Sequence, residues 1–177
     1  TAGTGEASGD DVFVAHTAAL SGRVAAGPGV GVFFGCKLEA AANAIVIGKN
    51  SNVQDNTVID AAQGTVRIGD NTTIGHNVHL RAASIGAAAL IGIGSLVDAG
   101  TVVDDDVLLA AGCVTRPGQH IERGRLWGGR PARPIARLDE AKREMMAAII
   151  GQYRAYGAAY REAQARSVTQ GRETGHG

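Results

Sequence analysis

The sequence predicts an all-β solenoid: a left-handed parallel β-helix of hexapeptide repeats followed by a C-terminal amphipathic α-helix. Three observations carry this prediction. Aliphatic residues, mostly followed by a small or acidic residue, recur six apart: Ile47-Gly48, Val53, Ile59-Asp60; Ile68-Gly69, Ile74-Gly75, Leu80; then Ile85-Gly86, Ile91-Gly92, Val97-Asp98, Val103-Asp104 and Leu109-Ala110. Four after nine of these eleven starts stand Ser51, Thr57, Thr72, Val78, Ala89, Ser95, Thr101, Val107 and Cys113, each small or β-branched. Composition agrees: 45% hydrophobic but 4% aromatic, with 26 glycines in 177 residues, implies narrow layers of small side chains. A six-residue period fits neither an α-helix nor a meander. It fits short parallel strands joined by turns, three faces to a coil, the coils stacked as a prism.

Taken in order, residues 1–11 are expected to be a flexible segment, and VFVAHTAAL begins the first coil of a β-helix spanning 12–126. Three extra residues within AAQGTVR (61–67) mark a loop, and one missing residue before Ile85 marks a tightened corner. The density of Pro, Gly and Arg after the repeat predicts a connecting loop over 127–137. Leu138, Ala141, Met145, Ile149, Tyr153, Tyr156, Tyr160 and Ala163 recur at spacings of three and four, which predicts a packing stripe on a helix over 138–166, with Asp139 as N-cap. Residues 167–177 read as a flexible tail.

Seventeen Lys+Arg against seventeen Asp+Glu argue against nucleic acid or an anionic membrane as a partner. No apolar run is long enough for a transmembrane segment. Two cysteines build no disulfide framework; Cys36 and Cys113 both fall on interior positions of the hexad. The Gly-x-Gly stretches at 27–31 and 92–94 follow from the repeat pitch and lack the strand–turn–helix context of a nucleotide loop.

SNVQDNTVI (51–59), TIGHNVHL (73–80), the hexads to Val114 and GRLWGGRPARPIARL (124–138) together resemble the γ-class carbonic anhydrases and carbonic-anhydrase-like proteins. The LWGG-x-PAR phrase looks most like the mitochondrial members that are subunits of respiratory complex I, the NADH dehydrogenase. In that family, the resemblance implies, three prisms form a trimer with a metal at each interface. Two histidines come from adjacent coils of one subunit and a third from its neighbour, leaving an open position for a zinc-bound water that attacks CO2. Here the resemblance places Asp60 at the first ligand position, His76 at the second and Arg81 at the third. The Arg and Asp that precede the QD motif correspond to Glu39 and Ala41, so both are lost, whereas the remnant catalytic candidates Asn52, Gln54 and Asp55 remain. A guanidinium cannot ligate a metal.

Asp60 and Arg81 each follow an inward aliphatic, Ile59 and Leu80, so the repeat stacks them on one face. An Asp60–Arg81 ion pair is the expectation where the metal would sit. His76, at a corner, is read as an interface hydrogen-bonding residue, with donation to a neighbour's metal site as the alternative. His79 should point outward, and Tyr153, Tyr156 and Tyr160 read as the helix's packing stripe.

Three functions stay open. The first is a structural subunit of a homo- or heterotrimer of carbonic-anhydrase-like chains, binding no cofactor by itself, inside a larger protein assembly. The second is a CO2 hydratase with zinc at a subunit interface, completed by its own or a neighbour's ligands. The third is an acyl-CoA transferase or thioesterase with a single general-base histidine. The start at Thr1 and the mitochondrial resemblance suggest the matrix side of the inner mitochondrial membrane after removal of a targeting peptide, with a bacterial cytoplasm as the alternative.

Overall fold

The computed structural model describes residues 11–173. The expectations for residues 1–10 and 174–177 lie outside the described residues, as do the side chains of 167–173. The chain winds into a parallel β-solenoid of about six turns, left-handed and three-faced, closed by one C-terminal helix.

The first face stacks Phe13–Val14, Gly31–Val32, Asn52–Val53, Thr73–Ile74, Leu90–Ile91, Val107–Leu109 and Arg125–Gly128, with Arg133–Arg137 as an antiparallel edge. The second stacks 19–21, 37–39, Val58–Asp60, His79–Arg81 and Leu96–Val97. The third stacks 23–26, 44–47, Val66–Ile68, Ser84–Ile85, Val102–Val103 and His120–Ile121. Register turns the hexad into interior ladders: Val32, Val53, Ile74, Ile91, Leu109 and Trp127 on the first face, and Leu38, Ile59, Leu80 and Val97 on the second. All are buried.

All nine small or β-branched positions named above are buried too. Their hydroxyls satisfy the carbonyls of the following coil: Ser51 donates to Gly69 at 2.7 Å, Thr57 to Gly75 at 2.7 Å and Thr72 to Gly86 at 2.8 Å. The residue just before each small position turns the corner with positive φ; Asn50, Asn56, Asn71 and Asn77 fill it, as Asn tolerates that region. Cys36 and Cys113 are buried and unpaired, as their hexad positions predict, and burial pushes the Cys36 thiol up to about 11.

Register locates every break in the repeat. A coil holds 18 residues, as from Ile91 to Leu109, but Ile74 to Ile91 spans 17, the missing residue falling between Arg81 and Ser84. Val53 to Ile74 spans 21, with the extra residues at 61–65 as expected. Val32 to Val53 also spans 21, through an insertion at 40–43 that the sequence reading lacks. The two insertions stack on one corner, where Asn43 donates its side-chain amide to Ala61 O at 2.8 Å.

Two boundaries need correction. The expected loop over 127–137 contains two strands, Arg125–Gly128 and Arg133–Arg137, which pair antiparallel and end the first sheet. The helix runs Glu140–Glu173, into the stretch expected to be a flexible tail. Asp139 caps it by accepting the Lys142 N–H at 2.9 Å. Arg143 fixes its base through two-pronged bonds to Asp106 at 2.9–3.1 Å. Its upper part reaches the first coil, where Arg161 meets Asp11 at 3.1 Å and Tyr153 and Tyr160 join Phe13, Phe33 and Phe34. The packing stripe differs from expectation: Met146 and Gly157 are buried, while Met145, Tyr156 and Tyr160 stay exposed. The helix crosses the first face obliquely, so its contact line runs through 146, 153 and 157 rather than along the predicted stripe.

Candidate functional site

The QD and IGH motifs meet at the corner between the first and second faces. Asn52 and Gln54 are buried: the Asn52 amide donates to Thr73 Oγ1 at 3.0 Å, and the Gln54 amide to Asn52 Oδ1 at 3.2 Å. They form a satisfied polar rung beneath the helix. Asp55 accepts the Phe34 N–H at 3.0 Å through one carboxylate oxygen and holds His76 Nδ1 at 3.0 Å with the other. The remaining ring nitrogen, Nε2, lies 2.9 Å from the Tyr153 hydroxyl.

In a neutral ring whose Nδ1–H donates to Asp55, Nε2 is an acceptor and the Tyr153 hydroxyl donates to it. Burial, aided by the charge of Asp55, raises the Tyr153 pKa, which keeps the phenol a neutral donor. Donating Nε2 to a neighbour would mean breaking the tyrosine contact, since both ring nitrogens of His76 are engaged within its own chain. The tyrosine that does so lies 77 residues away on the helix and was read only as packing. Tyr153→Phe is expected to cost about 1 kcal/mol in chemical denaturation and to free Nε2, visible as a changed His76 ring-nitrogen shift in NMR.

The predicted Asp60–Arg81 pair is also corrected. The two residues are direct cross-strand neighbours, as the repeat predicted. Arg81 nonetheless turns to the following coil, where its Nη1 meets Asp98 Oδ1 at 3.2 Å. Asp98 is positioned for this by its backbone N–H, which donates to Thr115 Oγ1 at 2.8 Å. Asp60 is drawn off by the insertion beside it and accepts the Ala62 N–H at 2.8 Å, an Asx-type turn. Sequence reasoning missed Asp98 although a signal was present: Val97-Asp98 has the same hexad phase as Ile59-Asp60. The Arg81 and Asp98 side chains keep 34% and 21% of their exposure. A double-mutant cycle with Arg81→Ala and Asp98→Ala should therefore return a coupling of about 1 kcal/mol or less, weakening with salt.

His79 points outward and is exposed, as predicted. A second histidine–aspartate pair stands elsewhere, where His120 Nε2 meets Asp104 Oδ1 at 2.8 Å on the third face. The hydrogen bond from the His120 ring to Asp104 raises the His120 pKa above 6.5, and the same bond lowers that of Asp104 below 3.8. The His120 contribution is complete below pH 6.5 and lost as pH rises through its folded value. The Asp104 contribution is complete above pH 3.8 and lost as pH falls through its folded value. An NMR titration should place His120 above 6.5, and Asp104→Asn should return it to the ordinary value.

A zinc ion does not fit the residues this chain offers at the three corresponding positions. Asp60 could ligate, Arg81 cannot, and His76 has its free nitrogen covered by Tyr153. Among the described residues no cluster of three His, Cys, Asp or Glu could hold a metal within one chain. What the corner does contain is a polar rung, an oriented histidine and an ion pair across coils.

Fold and hexad together define a hexapeptide-repeat β-helix protein. No family profile matches the chain. Gamma carbonic anhydrase 2, mitochondrial, of Arabidopsis thaliana is 34% identical over 137 residues, 73% of this chain and 49% of its own length. Carnitine operon protein CaiE of Escherichia coli O157:H7 is 31% identical, over 72% of this chain and 66% of its length. The crystal structure of a hexapeptide transferase family protein from Anaplasma phagocytophilum superposes with a TM-score of 0.82 at 31% identity, covering 86% of this chain and 90% of that one. The chain belongs to the γ-carbonic-anhydrase-like hexapeptide-repeat family. It spans about half the length of the Arabidopsis relative it matches.

Proposed function

We propose that this chain is a structural subunit of a γ-carbonic-anhydrase-like trimer, with its own metal site lost, that contributes scaffold and interfaces to a larger assembly. One observation carries the reading: at the third ligand position stands Arg81, committed to Asp98. Its cation would repel a metal dication there, and the ion pair fills the place of a ligand. Exposed apolar surface fits the assembly role. Leu90, Leu108 and Leu126 of the first face and Met145 and Ile149 of the helix line a cleft of about 320 Å³, with Ile93 at 53% exposure beside it. An apolar tract of this kind suits burial against another subunit.

The likeness to mitochondrial relatives and the LWGG-x-PAR phrase support a place in the carbonic-anhydrase module on the matrix side of respiratory complex I. Among the described residues no helix is long and apolar enough to cross a membrane. Stopped-flow CO2 hydration tests the catalytic half of the proposal. The purified protein, with and without added zinc, should not exceed the uncatalysed rate, and a zinc-dependent rate abolished by His76→Ala would overturn it.

A second reading, acyl transfer, draws on the same apolar cleft, because Gln54, next to the Asp55–His76 pair, lines it. Under that reading acetyl-CoA would be consumed in the presence of an amine or alcohol acceptor, with loss of turnover in His76→Ala. The structural reading expects no such consumption.

A further inference from the structure

We propose that an arginine-lined cleft at the base of the prism is a binding site for a phosphate-bearing ligand. The cleft, about 390 Å³, is lined by Arg123, Gly124, Arg125, Arg137, Leu138 and Arg143. Four guanidiniums thus surround one opening, and no carboxylate lines it. The charge is concentrated there by the sequence: residues 115–138 hold six arginines and one glutamate in a chain whose net charge is zero.

Three of the four guanidiniums stand within ion-pair distance of one carboxylate each, but only one of those three pairs is hydrogen-bonded. Asp106 is taken up by its two-pronged bonds to Arg143. Arg123 stands 3.9 Å from Asp105, and Arg125 stands 3.7 Å from Glu122, both beyond hydrogen-bond length. For Arg137 no carboxylate within ion-pair distance occurs among the described residues.

Strand register supplies a second, independent observation. Arg125 and Arg137 are direct cross-strand partners in the antiparallel pair that ends the first sheet. Like charges placed opposite each other in a sheet are destabilising. An anion bridging the two guanidiniums removes that repulsion and gains charge-assisted hydrogen bonds. The planar fork of arginine matches the tetrahedral oxygens of phosphate in two-pronged fashion, and a compact cleft suits a phosphate or diphosphate group better than a polymer.

The phosphate could belong to a soluble compound or to a lipid headgroup, and two measurements separate them. In the first, inorganic pyrophosphate is titrated calorimetrically into the full chain at low salt. Saturable binding at one site per chain is expected, weakened at least tenfold in Arg125→Ala and Arg137→Ala. Arg133→Ala, on the same exposed strand but outside the cleft, should stay within twofold, with unchanged circular dichroism in all three. In the second, the protein is sedimented with phosphatidylglycerol–phosphatidylcholine vesicles. Vesicle binding that pyrophosphate displaces supports the site with a lipid phosphate as ligand; pyrophosphate binding without vesicle binding supports it with a soluble one. Absence of saturable binding to either, or equal losses in Arg133→Ala and Arg137→Ala, would overturn the proposal.

Discussion

Replacing Asp60 and Arg81 together by histidine should give a chain that holds about one zinc ion per subunit. The two positions are cross-strand partners on the second face, so both imidazoles would project from adjacent coils, one residue beyond the buried Ile59 and Leu80. The third nitrogen in this account is His76 of a neighbouring copy in the proposed trimer. Recruiting it means breaking the Tyr153–His76 hydrogen bond, worth about 1 kcal/mol, whereas a structural zinc site contributes on the order of 10 kcal/mol. The balance favours the metal by a wide margin. Zinc measured by atomic emission after exhaustive dialysis should rise from none to near-stoichiometric in the double variant. Asp60→His alone should stay empty, because Arg81 still stands in the site. Stoichiometric zinc in that single variant would show that the arginine does not exclude the metal.

Gly92→Ala should destabilise the fold by about 3 kcal/mol in equilibrium denaturation, at the upper end of ordinary overpacking, whereas Gly94→Ala, two residues away, should cost about 1 kcal/mol. A Cβ on Gly92 would lie 2.5 Å from Ala111 N and 2.6 Å from Leu109 O, both backbone atoms of the following coil. The Gly92 N–H donates to that same Leu109 oxygen at 2.8 Å, so relieving the clash also loosens the bond that stacks the coils. Gly94 turns a corner with φ of +67° and has nothing within 4 Å of its would-be Cβ, so only the strained backbone weighs against a side chain. Equal costs for the two variants would mean that coil stacking is looser than these contacts require.

Much of the fold was legible because a period of six leaves two phased positions to read. The inward aliphatics and the small fourth-on residues all became interior, and two breaks in the repeat were located from the sequence. The insertion at 40–43 was not legible: it lies within a run of alanines that supplies no aliphatic residue to mark a change of phase. The end of the solenoid was hidden for a related reason, since RLWG and RPIAR are rich in the residues that signal loops and yet pair as edge strands. Helix formation after Leu138 was readable from its apolar spacing and its Asp139 cap. The oblique path of the helix was not, because it depends on contacts such as Arg143–Asp106 at one end and Arg161–Asp11 at the other.

The candidate site divides in the same way. Phase alone places Asp60 and Arg81 side by side, but it also puts Asp98 one coil further along, and a column of alternating charge does not say which way the arginine turns. The insertion after Asp60 decides it by offering a backbone N–H to the carboxylate, leaving Asp98 as the acceptor within reach. The link from His76 to Tyr153 joins residues 77 apart and exists only because the helix folds back along the prism.

Metal content of the native protein tests the central claim most directly. The purified assembly, washed with a chelator and dialysed, should contain far less than one zinc, iron or cobalt ion per trimer. Near-stoichiometric metal that survives the wash, and is lost on His76→Ala, would contradict the reading of Arg81 as the residue that closed this site.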